Sequence, residues 1–239
     1  MTPADRVTGL AVVVPVNDEE LLLPRCLAAL GVAVGALRSA RPTVRVEVVI
    51  VLDDCVDGSA RIARAAPFTV IETCHRRVGA ARASGVAAAL ERLGPGGSGS
   101  WVVSTDADSA VPARWLTHQL DLAEDGADVV IGTVRPDFAD LSAEQREAWV
   151  ATHAPGHANG HVHGANLGIR ADVYLAAGGF PGVAEHEDVG LVERARLAGA
   201  RVVASDAGCV LTSGRSTGRT PGGYARHLQE DLVPASRVG

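Results

Sequence analysis

Short continuous apolar runs alternate with longer amphipathic segments in the first half of the chain. The runs are typical of strands buried on both faces, and they lie at 10–15, 44–52, 68–71, 101–104 and 129–134. The segments between them predict helices, which begin near 18, 57, 78 and 112. Asp18 is expected to cap the first of these helices. This order predicts an α/β fold with a mostly parallel sheet and helices on both faces.

The second half of the chain has a less regular pattern. It predicts helices at 142–150, 172–178, 188–197 and 224–232. It also predicts short strands at 165–169 and around 202 and 210. No repeat or linker divides the chain, so we expect a single domain over residues 1–239.

Composition narrows the class of protein. The 239 residues are 47% hydrophobic and 21% charged, which indicates a globular chain. The formal net charge of −6 predicts no general attraction to nucleic acid or to an anionic membrane. No apolar run approaches the ~20 residues of a membrane span, and the N-terminus lacks a signal-peptide pattern. We therefore expect a cytoplasmic protein with no membrane span; the sequence indicates no oligomeric state. The four scattered cysteines predict reduced thiols.

The sequence contains no lysine, since all 22 of its Lys and Arg residues are arginine. This excludes a P-loop lysine, a Schiff-base lysine and a lysine general base. The glycine-rich stretch 94–99 is therefore expected to be a flexible connection. Phosphate recognition in this chain must use arginine, backbone amides or a metal ion.

Two acids follow the apolar run that begins at Trp101. If the strand continues through them, Ala107 points to the opposite face, and Asp106 and Asp108 point the same way. Two such carboxylates fit a hard divalent ion, Mg²⁺ or Mn²⁺, because these ions prefer oxygen ligands and share their shell with substrate phosphates. A solvated turn in which the acids cap the next helix is the alternative.

Asp53 and Asp54 repeat this arrangement at the end of the second predicted strand. We expect the two strands to be neighbours, so that their acids converge at the carboxyl edge of the sheet, where α/β folds bind ligands. Taken alone, Asp54 could equally be a helix cap or a turn residue.

Four of the eight histidines lie between His153 and His163. His161 and His163 have strand spacing and could chelate one metal ion, but the run contains no cysteine or acid that would complete a zinc site. The alternative is a loop bordering a substrate pocket, in which His161 or His163 contacts a substrate.

Six blocks of the chain, in order, resemble family 2 glycosyltransferases. In the first half they are 12–20 (VVVPVNDEE), 48–59 (VVIVLDDCVDGS), 77–85 (RVGAARASG) and 105–109 (TDADS), the last followed by Pro112 and Trp115. In the second half they are 163–170 (HGANLGIR), and 178–181 (GGFP) with Glu187-Asp188 and the residues after it. Each block alone is a weak signal, whereas the ordered set is a strong one.

The resemblance implies a GT-A fold, which is a Rossmann-like mostly parallel sheet with a smaller mixed acceptor-side region. It implies a nucleotide-sugar-binding half over 1–110 and an acceptor-side half over 111–212. The Arg/Gly-rich tail over 213–239 is a candidate segment for closing over the donor. The implied donor is a UDP-, GDP- or dTDP-sugar, and the implied cofactor is Mn²⁺ or Mg²⁺.

The resemblance also implies roles on the donor side. Pro15 and Asp54 would line the nucleoside pocket, and Arg82 would lie near the nucleotide. Asp108 would bind the metal directly, while Asp106 would contact the ribose or support the metal shell.

On the acceptor side, the resemblance makes Asp188 the general base. Glu187, Asn166 and His163 lie in the matching blocks, and we expect them to contact substrate. The acceptor would be a small or soluble molecule with a hydroxyl group.

Two arginines in the tail, Arg215 and Arg219, stand four residues apart among small residues. Some related enzymes place a metal-binding histidine in this segment, but this chain has no histidine between His186 and His227. We expect Arg215 or Arg219 to clamp the diphosphate, because an arginine fork suits its oxygens. A solvated basic tail is the alternative.

The favoured function is thus a metal-dependent glycosyltransferase that inverts the sugar. The alternatives are a retaining transferase of the phosphoglycerate-glycosylating type, a sugar-1-phosphate nucleotidylyltransferase and a non-catalytic nucleotide-sugar-binding protein. A nucleotidylyltransferase would need a glycine-rich loop with Arg and Lys after the first strand, where this chain has Pro15-Val-Asn-Asp18.

Overall fold

The computed structural model describes residues 7–94, 99–183, 185–218 and 223–233. Its centre is a seven-stranded sheet in the order β3-β2-β1-β4-β6-β5-β7. The strands are β1 (Gly9–Val16), β2 (Arg45–Asp53), β3 (Thr69–Thr73), β4 (Ser100–Ser104), β5 (Val129–Pro136), β6 (Leu167–Arg170) and β7 (Val202–Thr212). All neighbours run parallel except β6, which is antiparallel to both β4 and β5.

Helices cover both faces of this sheet. They are α1 (Leu23–Ala40), α2 (Ser59–Ala65), α3 (Val78–Leu93), α4 (Trp115–Glu124), α5 (Ala143–Thr152), α6 (Ala171–Ala176), α7 (Glu187–Leu197) and α8 (Tyr224–Arg226). A π-helical turn over His227–Asp231 continues α8.

Alternate residues of the central strands pack on opposite faces. In β1, Leu10, Val12 and Val14 join the cluster that includes α1, α2 and α4. Ala11 and Val13 join the cluster that includes α3, α6 and α7. Both faces are therefore dry, which explains why the central strands read as continuous apolar runs.

The predicted mostly parallel α/β sheet is confirmed, with local corrections. The predicted strand at 165–169 begins as a 3-10 turn (Gly164–Asn166) before β6. The two short strands expected around 202 and 210 form the single strand β7, which is irregular between its halves. Asp18 does not cap α1, because its carboxylate accepts hydrogen bonds from the backbone N–H groups of Val56 and Asp57.

Two expectations about the acids were also wrong. Strand β1 lies between β2 and β4, so these strands are not neighbours. Strand β4 ends at Ser104, so Asp106 and Asp108 lie in the turn that follows it. Their positions are set by that turn and by ion pairs rather than by strand alternation.

Helix α1 meets the length and composition criteria for a membrane span, with 18 residues and a mean hydropathy of 1.3. It is the one such helix among the described residues. Its buried residues, among them Leu23, Leu30 and Leu37, belong to the core beside the sheet. The helix is accordingly a packed element of the domain.

Helix α3 approaches β1 and β2 most closely at Gly85. A Cβ atom there would lie 2.7 Å from Val51 Cγ2 and would also overlap Val13 Cγ1. We expect Gly85→Ala to lower the free energy of unfolding by about 1–3 kcal/mol, as overpacking does, despite the better helix propensity of alanine. Urea denaturation measures this change.

Gly31 of α1 is the matched control, because a Cβ atom there would meet nothing within 4 Å. Gly31→Ala should raise the free energy of unfolding by up to about 1 kcal/mol. Equal effects of the two substitutions would contradict the close approach of α3 to the sheet.

Candidate active site

The acids at the end of β2 have different surroundings. Asp53 is buried, and its carboxylate accepts hydrogen bonds from Thr73 Oγ1 at 2.9 Å and from the backbone N–H of His75 at 2.6 Å. It therefore orders the loop between β3 and α3. Asp54 has a left-handed backbone (φ 54°) and its half-exposed side chain pairs with the exposed Arg76. Asp54 is thus the member of the pair that is open to a ligand.

Asp106 and Asp108 are held by different arginines. Asp106 pairs with Arg82 of α3. Asp108 Oδ2 lies 3.1 Å from Arg215 Nη2. Burial raises the pKa of Asp108 to about 6, helped by the negative charge of Asp106 and opposed by Arg215. Asp108 therefore binds a proton more readily than an exposed aspartate does.

Arg82 joins the turn after β4 to the start of α7. It is only 3% exposed, and its guanidinium pairs with Asp106 on one side and with Glu187 on the other. The guanidinium also lies over the Phe180 ring, 5.7 Å from its centroid. A Cβ atom on Gly164 would lie 2.5 Å from the guanidinium, so glycine there leaves room for it.

The resemblance implies that Arg82 lies near the nucleotide, and in the structure its guanidinium pairs with Asp106, the residue expected to contact the ribose or support the metal shell. The guanidinium is enclosed by protein groups, and Glu187 is likewise buried against it. Burial raises the pKa of Glu187, and the positive charge of Arg82 opposes that rise. Arg82 and Glu187 thus fix the turn after β4 relative to the start of α7, and their expected substrate contacts stay predictions.

Asp188 follows Glu187 in the first turn of α7. Its Oδ2 accepts a hydrogen bond from the backbone N–H of Gly164 at 2.6 Å, and its Oδ1 accepts one from the N–H of Val189 at 2.8 Å. The carboxylate is close enough to Arg82 to raise the pKa of that guanidinium. The candidate base thus lies beside the same buried arginine as Asp106.

His163 lies next to Asp188 at the end of the histidine-rich loop. Its ring meets the Tyr224 ring edge-on, with centroids 5.6 Å apart. Burial lowers the pKa of His163 to about 4, and the negative charge of Asp188 opposes this shift. The imidazole is therefore neutral at neutral pH.

The side chain of Asn166 is held by three hydrogen bonds within the protein, and its expected substrate contact stays a prediction. Its side-chain oxygen accepts a hydrogen bond from Trp115 Nε1 at 2.8 Å. Its amide nitrogen donates to the backbone oxygens of Thr133 and Gly208, at 2.8 and 2.9 Å. The residue is 1% exposed, so a ligand would have to break bonds that join α4, β5 and β7.

Of the three remaining predicted site residues, the structure describes Pro15 and Arg215. Pro15 is half-buried near the end of β1, on the same edge of the sheet as Asp54. Arg215 follows β7 and reaches the turn after β4. Arg219 lies outside the described residues.

Glu19 is a site residue that sequence reasoning missed. It is buried in the loop after β1, and its carboxylate accepts hydrogen bonds from both Nη atoms of Arg215, at 2.7 and 2.9 Å. The two residues are 196 positions apart. The acidic 12–20 block was a signal, but no local pattern could indicate its partner.

The donor atoms around Asp108 fit a divalent ion shared with a substrate. Within the described ranges, no group of three or more His, Cys, Asp and Glu side chains could hold a metal by itself. Mg²⁺ and Mn²⁺ are commonly held by one or two carboxylates together with phosphate oxygens and water. The carboxylate of Asp108 and the hydroxyls of Ser109 and Thr212 beside it suit such a shared site. His161 and His163 lack a third ligand there.

The sequence model of glycosyl transferase family 2 matches residues 11–169, more than half of the chain. The chain belongs to glycosyl transferase family 2. The matched range of this family 2 chain includes Asp54, Arg82, Asp106 and Asp108. No curated protein matches its sequence.

Solved structures share the fold of this family 2 chain. A mannosyltransferase from Pyrobaculum calidifontis, in complex with GDP-Man and Mn²⁺, is 23% identical, with a TM-score of 0.62 over 90% of this chain and 59% of that chain. TarS 1–349 from S. aureus, in complex with UDP, is 14% identical, with a TM-score of 0.60 over 86% of this chain and 60% of that chain.

Glucosyl-3-phosphoglycerate synthase from Mycobacterium tuberculosis, in complex with Mg²⁺ and UDP, is 15% identical to the family 2 chain. The TM-score is 0.54, covering 88% of this chain and 72% of that chain. These similarities confirm the predicted GT-A fold. The family 2 chain spans about 60% of the length of the first two structures.

The low pKa of His163 predicts a pH-dependent stability. In the unfolded chain the pKa returns to about 6.5, so protonation below that pH favours unfolding until the folded protein also binds the proton near pH 4. His163→Phe keeps a ring beside Tyr224 but cannot titrate. Between pH 7 and pH 4, the wild type should lose up to about 3 kcal/mol more unfolding free energy than His163→Phe.

Urea denaturation at pH 4, 5, 6 and 7 measures this difference, and other titrating groups cancel in the comparison of the two proteins. Parallel pH profiles for the wild type and His163→Phe would show that the His163 ring is not desolvated in the folded protein.

Proposed function

We propose that this chain is a metal-dependent glycosyltransferase that moves a sugar from a nucleotide-diphosphate donor to an acceptor hydroxyl, with inversion. One observation carries the proposal. Buried Arg82 brings together Asp106, from the turn after β4, and the start of α7, where Asp188 follows Glu187. A donor-side acid and a candidate base thus meet at the carboxyl edge of the sheet, where α/β folds bind ligands.

The donor is proposed to bind between the ends of β1, β2 and β4. Pro15 and Asp54 would flank the nucleoside, and Arg76 would have to leave Asp54 for a base to hydrogen-bond there. The similar structures are complexes with GDP-Man and Mn²⁺, with UDP, and with Mg²⁺ and UDP, which supports a nucleotide-sugar donor and a divalent ion. A binding screen with several nucleotide sugars identifies the nucleobase and the sugar.

Asp108 would hold Mn²⁺ or Mg²⁺, and Asp106 would contact the ribose or support the metal shell. When bound, the ion would act as a Lewis acid that stabilises the charge of the departing diphosphate. Arg215, which already lies beside Asp108, would add charge-assisted hydrogen bonds to the phosphate oxygens. Since the chain has no lysine, arginine is the side chain left for this role.

Asp188 is proposed to take the proton of the acceptor hydroxyl during attack. The Gly164 and Val189 N–H groups fix its carboxylate, and one oxygen lone pair must remain available for the acceptor. Neutral His163 beside it can donate or accept a hydrogen bond without adding charge. A carboxylate base and a stabilised leaving group suit in-line displacement, which inverts the sugar.

A thermal-shift screen with UDP-, GDP- and dTDP-sugars tests the donor assignment. Asp108→Asn should abolish the Mn²⁺-dependent part of nucleoside diphosphate binding in calorimetry, because the amide loses the negative charge that holds the ion. Asp121→Asn, which removes a carboxylate on α4 paired with Arg41, is the matched control and should bind as the wild type does.

Unchanged metal dependence in Asp108→Asn would contradict the metal assignment. If no nucleotide sugar raised the Tm of the wild type, with or without Mn²⁺, the chain would not be a nucleotide-sugar-dependent enzyme.

Asp188→Asn should leave donor binding intact and lower transfer by about 10²–10⁴-fold, since it removes only proton abstraction. The measurement is release of nucleoside diphosphate in the presence of a panel of small hydroxyl acceptors. NMR of the product should show the anomeric configuration opposite to that of the donor. Lost donor affinity, or a retained configuration, would contradict the base assignment.

A further inference from the structure

Arg215 is shared by the carboxylates of buried Glu19 and partly buried Asp108, which come from distant parts of the chain. Its Nη1 and Nη2 donate to Glu19 Oε2 and Oε1 at 2.9 and 2.7 Å, which is a bidentate pair. Its Nη2 also lies 3.1 Å from Asp108 Oδ2. A cation of the protein itself therefore neutralises the carboxylate to which we assign the metal.

A divalent ion and Arg215 compete for that carboxylate. Two cations within a few ångströms in a buried site repel each other strongly, so binding of the ion to Asp108 requires the guanidinium to move away. The backbone beside Arg215 is anchored, because the N–H of Gly214 donates to Asp140 Oδ2 at 2.9 Å. The long side chain can therefore swing while its backbone remains in place.

Glu19 limits how far that side chain moves. Its bidentate pair with Arg215 fixes the plane of the guanidinium, as fork-shaped contacts do. When Arg215 leaves Asp108, Glu19 keeps it near the position proposed for the diphosphate. Glu19 is thus a positioning residue that acts through Arg215.

We propose that Arg215 is an exchangeable cation, which neutralises Asp108 in the empty site and transfers to the diphosphate when metal and donor bind. The inference rests on the proposed function and adds a regulation to it. Arg215 opposes binding of the ion alone and favours binding of the ion together with the nucleotide. The two therefore enter the site cooperatively.

Arg215→Gln separates these effects because they have opposite signs. Mn²⁺ alone should bind at least about threefold more tightly to the variant. The electron paramagnetic resonance signal of the free ion measures this binding. At saturating Mn²⁺, binding of UDP, GDP or dTDP, whichever gives the largest shift with the wild type, should weaken at least about tenfold in calorimetry.

Arg41→Gln is the matched control. Arg41 also bridges two carboxylates, those of Asp121 and Glu124, each at 2.6 Å, but it joins α1 to α4. The substitution changes the net charge by the same amount and should alter neither binding constant. Unchanged or weaker Mn²⁺ binding in Arg215→Gln, or equal effects in Arg41→Gln, would overturn the exchange.

A double-mutant cycle tests the role of Glu19. The melting curve of each variant is measured first, so that a poorly folded variant is recognised before its binding is compared. Glu19→Gln should weaken Mn²⁺ binding, since Arg215 is then left to Asp108 alone. In the Arg215→Gln background, most of that effect should disappear. Additive effects would show that Glu19 acts through its charge and not through Arg215.

The failure of this inference is distinguishable from failure of the proposed function. A wild-type chain that binds neither Mn²⁺ nor a nucleoside diphosphate would overturn both. A wild-type chain that binds both ligands, with the same two constants in Arg215→Gln, would overturn the exchange alone.

Discussion

The buried guanidinium of Arg82 is the interaction on which the site depends. It is enclosed between Asp106 and Glu187, so loss of the guanidinium would leave both carboxylates without their common cation. Helix α3 carries this arginine, the turn after β4 carries one partner and α7 carries the other. One ion-pair network therefore fixes the turn after β4 relative to the start of α7.

Because the chain contains no lysine, arginine supplies the permanently charged cations of this site. A lysine would supply a single mobile point charge, whereas an arginine supplies a planar fork that can bind two carboxylates at once. Arg82 and Arg215 both use this property, each joining segments distant in sequence. Each of these two guanidinium groups thus joins two carboxylates of the site by ion pairs.

The sequence predicted the helices and buried strands well because their apolar periodicity reports burial directly. Helix α3 begins and ends where the pattern indicated, at Val78 and Leu93. The order of the strands in the sheet was harder, since the position of β1 between β2 and β4 is a tertiary property. The expectation that the strands before Asp53 and Asp106 are neighbours was wrong for this reason, and Asp53 itself orders a loop.

The site itself was predictable in its acids but not in its partners. Asp106, Asp108 and Asp188 stand in ordered blocks, which a linear pattern can reveal. Whether an amide such as Asn166 faces a ligand or the interior depends on which atoms surround it after folding, and here Trp115 satisfies it. Residue type alone carries no signal for that difference.

The antiparallel strand β6 gives the fold a modular character. It enters the sheet between β4 and β5, so the segment from 137 to 166 leaves the sheet after β5 and returns at β6. Strands β1 to β4 lie before this excursion in the chain and keep their own register. A segment of different length or composition could thus be inserted between β5 and β6 while the pairing of β1 with β2 and β4 stays the same.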